Sequence, residues 1–170
     1  MIHTLSVLLE NKPGALVRVA MMFNRRGYNI ESLAVGPTEN HDVSRLTLRV
    51  NCEQHSVDQI EKQIHKLVNV LRVKELQPEE AVERELALVT VEAPANKRAE
   101  LLALAEAVGA RIADVGPEAI VFEISGDPEA LDSFEELVRP HGIRELARTG
   151  LVGLSRASAS KPARRQPSLR

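Results

Sequence analysis

Residues 10–16 (ENKPGAL) contain the side chains best suited to bind a small ligand. The Pro-Gly pair predicts a turn, and Gly14 permits a backbone conformation that a Cβ would obstruct. If a helix begins directly afterwards, its first N–H groups, near Ala15 and Leu16, have no partner inside the helix and favour an anion such as a carboxylate. Asn11 can both donate and accept hydrogen bonds, so it can also bind an ammonium group. The loop suits an α-amino acid, although a plain strand-to-helix turn explains the same residues.

Recognised motifs of catalytic and metal sites are missing from the sequence. The five histidines are scattered, and none forms HExxH or pairs with the single cysteine, Cys52, at a metal-ligand spacing. GxSxG, GxGxxG and P-loop motifs are absent as well. We therefore expect no catalytic residue and no metal in this chain. A small ferredoxin-like hydrolase remains an alternative, because such enzymes can work with one arginine and one asparagine.

The composition limits the possible partners. Residues 1–76 have a formal net charge of +2, residues 77–155 of −9 and residues 156–170 of +5, which predicts two units with different surfaces and a short basic tail. The chain has three Phe, one Tyr and no Trp, so it offers few platforms for stacking on bases. A basic stripe for nucleic acid is not evident, and no apolar run is long enough to span a bilayer. We expect a cytoplasmic protein that binds neither nucleic acid nor membrane.

The elements that must position the loop follow from the hydrophobic periodicity. In residues 1–76 a strand ends near Leu9, a helix follows from Leu16 and stops at Gly27, two strands follow, and a helix capped by Ser56 precedes a fourth strand. The same βαββαβ order recurs beyond a polar linker. Two such units predict an α+β protein of two ferredoxin-like domains. We assign the domains as residues 1–76, a linker at 77–83, a second domain at 84–155 and a disordered tail at 156–170.

Five segments of this sequence closely resemble the small subunits of acetohydroxyacid synthase (acetolactate synthase), whose first domain is an ACT domain. The segments are LSVLLENKPGAL at 5–16, RRGYNIESLAVG at 25–36, IEKQIHKLVNVLRV at 60–73, VERELALV at 82–89 and GLSR at 153–156. The resemblance covers residues 2–156 in order, and RGYNIESL is its most specific motif.

This resemblance implies a non-catalytic regulator of branched-chain amino-acid synthesis. The catalytic (large) subunit would hold thiamine diphosphate, Mg²⁺ and FAD, and the small subunit would raise its activity and confer feedback inhibition by valine or a related amino acid. The effector would bind between two ACT domains of a homodimer. The residues in the matching positions are Asn11, Gly14, Ala15 and Leu16 of one chain and Asn29 and Ile30 of the other. A free-standing ACT regulator of gene expression is the other alternative.

Overall fold

The computed structural model describes residues 2–52 and 56–158. The tertiary contacts divide the chain into two compact units, one formed by residues 2–82 with 151–158 and the other by Glu83–Gly150. Most of the predicted tail, residues 159–170, lies outside the described residues.

In the first unit, the described residues between 2 and 76 form four strands and two helices in the order βαββαβ. Its elements are β1 (Ile2–Glu10), α1 (Ala15–Arg26), β2 (Ile30–Pro37), β3 (Val43–Asn51), α2 (Val57–His65) and β4 (Val70–Leu76). The strands form one antiparallel sheet in the order β2-β3-β1-β4, which makes β2 an edge strand. An aliphatic core with Phe23 packs between one sheet face and the helices. This is the predicted ferredoxin-like arrangement.

The ends of α1 follow from two glycines. Gly14 precedes the helix with φ +84°, and Gly27 ends it with φ +66° while its N–H donates to the Asn24 carbonyl oxygen. Both values lie in the left-handed region that favours glycine. The predicted stop at Gly27 is therefore confirmed, and the helix begins at Ala15, one residue before the predicted start.

The second unit repeats the same order of elements. It contains the larger part of β5 (Ala81–Glu92), then α3 (Arg98–Ala107), β6 (Arg111–Val115), β7 (Ala119–Gly126), α4 (Pro128–Val138) and β8 (Ile143–Arg148). The strand order β6-β7-β5-β8 is equivalent to that of the first sheet. Its core packs one sheet face against the helices around Phe122 and Phe134, whose rings meet edge to face. The two α+β ferredoxin-like units are confirmed.

Two secondary-structure predictions differ from the structure. β5 begins at Ala81, within the predicted linker, where Ala81 is buried although Glu80 and Val82 on either side of it are exposed. β2 continues through Gly36 and Pro37, although a Gly-Pro pair in a sequence predicts a turn. Proline is tolerated there because an edge strand can lack a backbone donor on its outer side.

The first unit gains a short strand that the periodicity does not predict, β9 (Val152–Ser155), which pairs with β5. The N–H of Leu151 donates to Ser32 Oγ at 2.9 Å, and Lys74 Nζ donates to Ser155 Oγ at 2.7 Å. Ser32 and Lys74 lie on the sheet face opposite the helices, on the two edge strands. This segment therefore crosses the face of the first sheet that the helices leave uncovered.

Candidate functional site

The loop between β1 and α1 ends in a helix N-terminus with free donors. Gly14 occupies the N-cap position, and no side chain caps the helix. The N–H of Ala15 donates to the Lys12 carbonyl oxygen at 3.2 Å. The N–H groups of Leu16 and Val17 have no acceptor in the described part of the chain. The donors available to an anion are therefore those of Leu16 and Val17, one residue further along than predicted.

Asn11 fixes the other side of this loop. Its backbone N–H donates to the Asp42 carbonyl oxygen at 2.8 Å, and its Nδ2 donates to the His41 carbonyl oxygen, also at 2.8 Å. Both acceptors belong to the connection between β2 and β3. Because these bonds use only donors, Asn11 Oδ1 is left as an acceptor for an ammonium group. The loop thus presents donors and an acceptor on an exposed surface.

Ala15 and Leu16 contribute differently from each other. The Ala15 side chain is buried in the core of the first unit, so it supports the loop and does not face a ligand. Leu16 is partly buried and packs at the margin of the same core. Of these two side chains, Leu16 alone has surface that can contact a ligand.

Asn29 and Ile30 lie at the start of β2. Asn29 is exposed, and its Nδ2 donates to Glu31 Oε1 at 2.6 Å, which leaves its Oδ1 as an acceptor. Ile30 is partly buried against the core of the first unit. This pair therefore resembles the loop in having one polar and one partly buried apolar side chain.

The strand register separates this pair from the loop within one chain. Ile30 pairs with Val50, which pairs with His3 near the start of β1. The loop begins after Glu10, seven residues further along β1, which corresponds to about 23 Å at roughly 3.3 Å per residue. No single amino acid spans that distance. One chain brings Asn11, Gly14, Ala15 and Leu16 together, but it does not bring Asn29 and Ile30 to them.

Glu10, at the end of β1, anchors the loop through contacts that the sequence did not reveal. Asn69 Nδ2 donates to Glu10 Oε2 at 2.7 Å, and Lys12 Nζ lies 3.3 Å from Glu10 Oε1. The hydrogen bond from Asn69 is the main reason why the pKa of the Glu10 carboxyl lies below its usual value of 4.5. Burial has a smaller, opposite effect on this pKa, and the hydrogen bond and positive charge of Lys12 lower it further. The carboxylate form therefore stabilises the loop.

This pKa direction predicts how stability depends on pH. A carboxyl with a depressed pKa in the folded state contributes fully above about pH 4.5, and it loses that contribution as the pH falls through the lower folded value. We expect Glu10→Gln to lose less stability than wild type between pH 6 and pH 3, measured as the free energy of unfolding in urea at each pH. Glu106→Gln, at an exposed position of α3, is the matched control and should follow wild type. Identical pH profiles for wild type and Glu10→Gln would contradict the prediction.

The rest of the described chain offers little other chemistry. Cys52 follows β3 and is partly buried, and burial raises the pKa of its thiol. In residues 2–52 and 56–158, no three His, Cys, Asp or Glu side chains are placed to hold a metal ion. Within the same residues, no helix is both long and apolar enough to cross a membrane. Arg148 forms ion pairs with Glu85, which is buried, and with Asp132, which is exposed, and these pairs tie β8 to β5 and α4 in the second unit.

Comparisons with known proteins agree with the two-unit architecture. Residues 5–72 match the family described as "AHAS small subunit-like ACT domain", and residues 84–157 match "Small subunit of acetolactate synthase". The chain is 48% identical over 156 residues to a probable acetolactate synthase small subunit of Archaeoglobus fulgidus, covering 92% of this chain and 98% of that one. It is 46% identical over 154 residues to an acetolactate synthase small subunit of Mycolicibacterium smegmatis, covering 91% of each chain.

A solved structure shows the same fold. The acetolactate synthase small subunit of Thermotoga maritima superposes with a TM-score of 0.85 at 39% sequence identity, covering 92% of this chain and 98% of that one. Sequence and structure therefore agree over nearly the whole length of both chains. The chain belongs to the family of acetolactate synthase small subunits, the regulatory and non-catalytic chains of that enzyme.

Proposed function

We propose that this chain activates a thiamine-diphosphate-dependent catalytic subunit and makes it sensitive to valine or a closely related branched-chain amino acid. The effector binds between the first units of two copies of the chain. The cofactors, thiamine diphosphate, Mg²⁺ and FAD, belong to the catalytic subunit, and the assembly is cytoplasmic. Family membership argues against the alternative of an independent small hydrolase.

The main support for a site formed by two chains is the distance, within one chain, between the polar groups of the loop and Asn29. Asn11 and the free amides of Leu16 and Val17 lie at one end of the first sheet, and Asn29 lies at the other. Antiparallel pairing of β2 with β2 of a second copy places the start of the second β2 beside the end of the first. Because β2 ends level with Leu9, Asn29 of the second copy then approaches the loop.

The outer edge of β2 has the features of a protein–protein interface. Within the described residues, β2 pairs only with β3 and has a free outer edge. Leu33 and Val35 lie on the helix side of this strand with 36% and 46% of their surface exposed. These exposed apolar side chains favour a second copy on this side of the unit.

The groups at the loop fit an α-amino acid. The carboxylate would accept from the Leu16 and Val17 amides, where the helix dipole adds a favourable potential. The ammonium would donate to the side-chain oxygens of Asn11 and of Asn29 from the second copy. Leu16, with Ile30 of the second copy, would contact the branched side chain.

Reconstitution with the catalytic subunit tests this function. We expect the isolated chain to form no acetolactate and the catalytic subunit to be more active with the chain than without it. We expect valine to reduce the activity of the complex by about 5- to 150-fold, which corresponds to a coupling free energy of about 1–3 kcal/mol. Isoleucine and leucine, tested in parallel, rank the effectors. A complex that is neither more active than the catalytic subunit nor sensitive to any of the three amino acids would refute the proposal.

A further inference from the structure

A groove of about 300 Å³ lies in the first unit between α1 and the turn that follows α2. The α1 residues that line it occupy positions 18, 21, 22, 25 and 26, the spacing of one helix face. The lining combines three arginines with three apolar side chains: Arg18, Met21, Met22, Arg25, Arg26 and Leu67. The groove is therefore both apolar and positively charged.

The apolar side chains of the groove are accessible and adaptable. Met21 is 46% exposed, and Met22 and Leu67 are partly buried at the margin of the core of the first unit. Methionine is unbranched and flexible, so it can adjust its shape to a bound partner. A volume of about 300 Å³ is at the lower limit of small-molecule sites and suits an apolar side chain of a larger partner.

The arginines give the groove a charge that its own lining does not balance. Arg26 Nη2 donates to Gln63 Oε1 of α2 at 2.9 Å. The side chains of Arg18 and Arg25 are exposed and make no hydrogen bond or ion pair in the described part of the chain. None of the described residues that line the groove is acidic, and α1 contains no acidic residue. The groove therefore suits an anionic partner.

We propose that this groove binds an acidic segment of the catalytic subunit, in which carboxylates flank an apolar side chain. The apolar side chain contacts Met21, Met22 and Leu67, and the carboxylates pair with the arginines, whose planar guanidinium groups match carboxylate geometry. The proposed function supplies the catalytic subunit as the partner, so the inference rests on that function.

The composition of the groove disfavours two other occupants. A two-fold contact with a second copy through this groove would place arginines opposite arginines, and like charges at an interface are costly. Nucleic acid fits poorly as well, because half of the lining residues are apolar and none is an aromatic on which a base could stack.

The groove and the proposed effector site share α1 but no side chain. Arg25 lies nine residues after Leu16, about 14 Å along the helix at roughly 1.5 Å per residue. A substitution at Arg25 therefore leaves the contacts proposed for the effector in place, and the two sites can be tested separately.

Titration of the catalytic subunit with the full chain measures this contact as the chain concentration that gives half-maximal activation. We expect Arg25→Glu to raise that concentration at least about tenfold, because a carboxylate then faces the partner's carboxylates, and Arg18→Glu/Arg25→Glu to raise it further. Added salt should weaken activation by wild type more than activation by Arg25→Glu. Lys62→Glu, at an exposed position of α2 outside the groove, makes the same charge change and should match wild type.

Three further results decide between this inference and its rivals. Arg25→Glu should unfold at the wild-type temperature and bind valine with wild-type affinity. If wild type activates the catalytic subunit and Arg25→Glu does so at the same concentration, the docking site is overturned while the proposed function stands. If wild type does not activate it, the proposed function fails and the docking site fails with it. A changed oligomeric state of isolated Arg25→Glu in sedimentation equilibrium would assign the groove to a second copy and would also overturn the proposal.

Discussion

Replacing Gly14 with aspartate is expected to weaken valine inhibition of the reconstituted enzyme at least about tenfold. The reason is electrostatic, since the new carboxylate lies at the N-terminus of α1, where the effector's carboxylate is proposed to meet the Leu16 and Val17 amides. Two carboxylates about 4 Å apart repel each other by about 4 kcal/mol at the effective dielectric of a protein surface, and solvent reduces this figure at an exposed loop. The effect is measured as the valine concentration that halves acetolactate formation.

Gly14→Asn is the matched control for this substitution. Gly14 has φ +84°, and a Cβ at that position meets no atom within 4 Å, so the cost of any side chain there lies in the backbone alone. Asparagine and aspartate have the same shape, and both are tolerated in the left-handed region better than other residues. The asparagine variant should therefore retain most of the valine sensitivity. If both variants lost sensitivity equally, the negative charge would not be the cause of the loss.

The first sheet and α1 could be predicted because local signals agree with the tertiary structure. Alternation places Leu5, Val7 and Leu9 in the core, and the Pro-Gly turn and Gly27 bound the helix. The same holds for the start of α4, where Asp127 Oδ1 accepts from the Ala130 N–H at 2.8 Å and Pro128 occupies the first helical position. In each case the residue that sets the boundary lies within a few positions of it.

The features that could not be predicted depend on residues far apart in the sequence. β9 has only four residues, and the adjoining Leu151 is fixed by Ser32, 119 positions earlier. The Asn69 side chain that holds Glu10 is 59 positions away from it, in a turn with no sign of such a role. Segments this short have no periodicity to reveal which long-range partner they meet.

The candidate site could be predicted only in part. The residue types of the loop indicate an anion and an ammonium, but not which amides are free, because the use of the Ala15 N–H by Lys12 is a matter of loop geometry. The periodicity also does not show that Asn29 lies at the far end of the sheet. That follows from the strand order, in which β3 lies between β2 and β1 and runs antiparallel to both.

The most direct test of a site shared between two chains is complementation in mixed dimers. Asn11→Ala and Asn29→Ala should each weaken valine binding about 10- to 100-fold, since each removes a hydrogen bond to a charged group. In a dimer with one chain of each variant, one site contains both substitutions and the other contains none. Isothermal titration of such heterodimers, isolated with two different affinity tags, should therefore recover one full-affinity valine site per dimer.

The reverse arrangement provides the control. When one chain has both substitutions and the other is wild type, each site contains one defect, so no full-affinity site should remain. The account predicts one wild-type valine site in the first heterodimer and none in the second. A site formed within a single chain would give the opposite result, with no full-affinity site in the first heterodimer and one in the second, and that outcome would contradict the account.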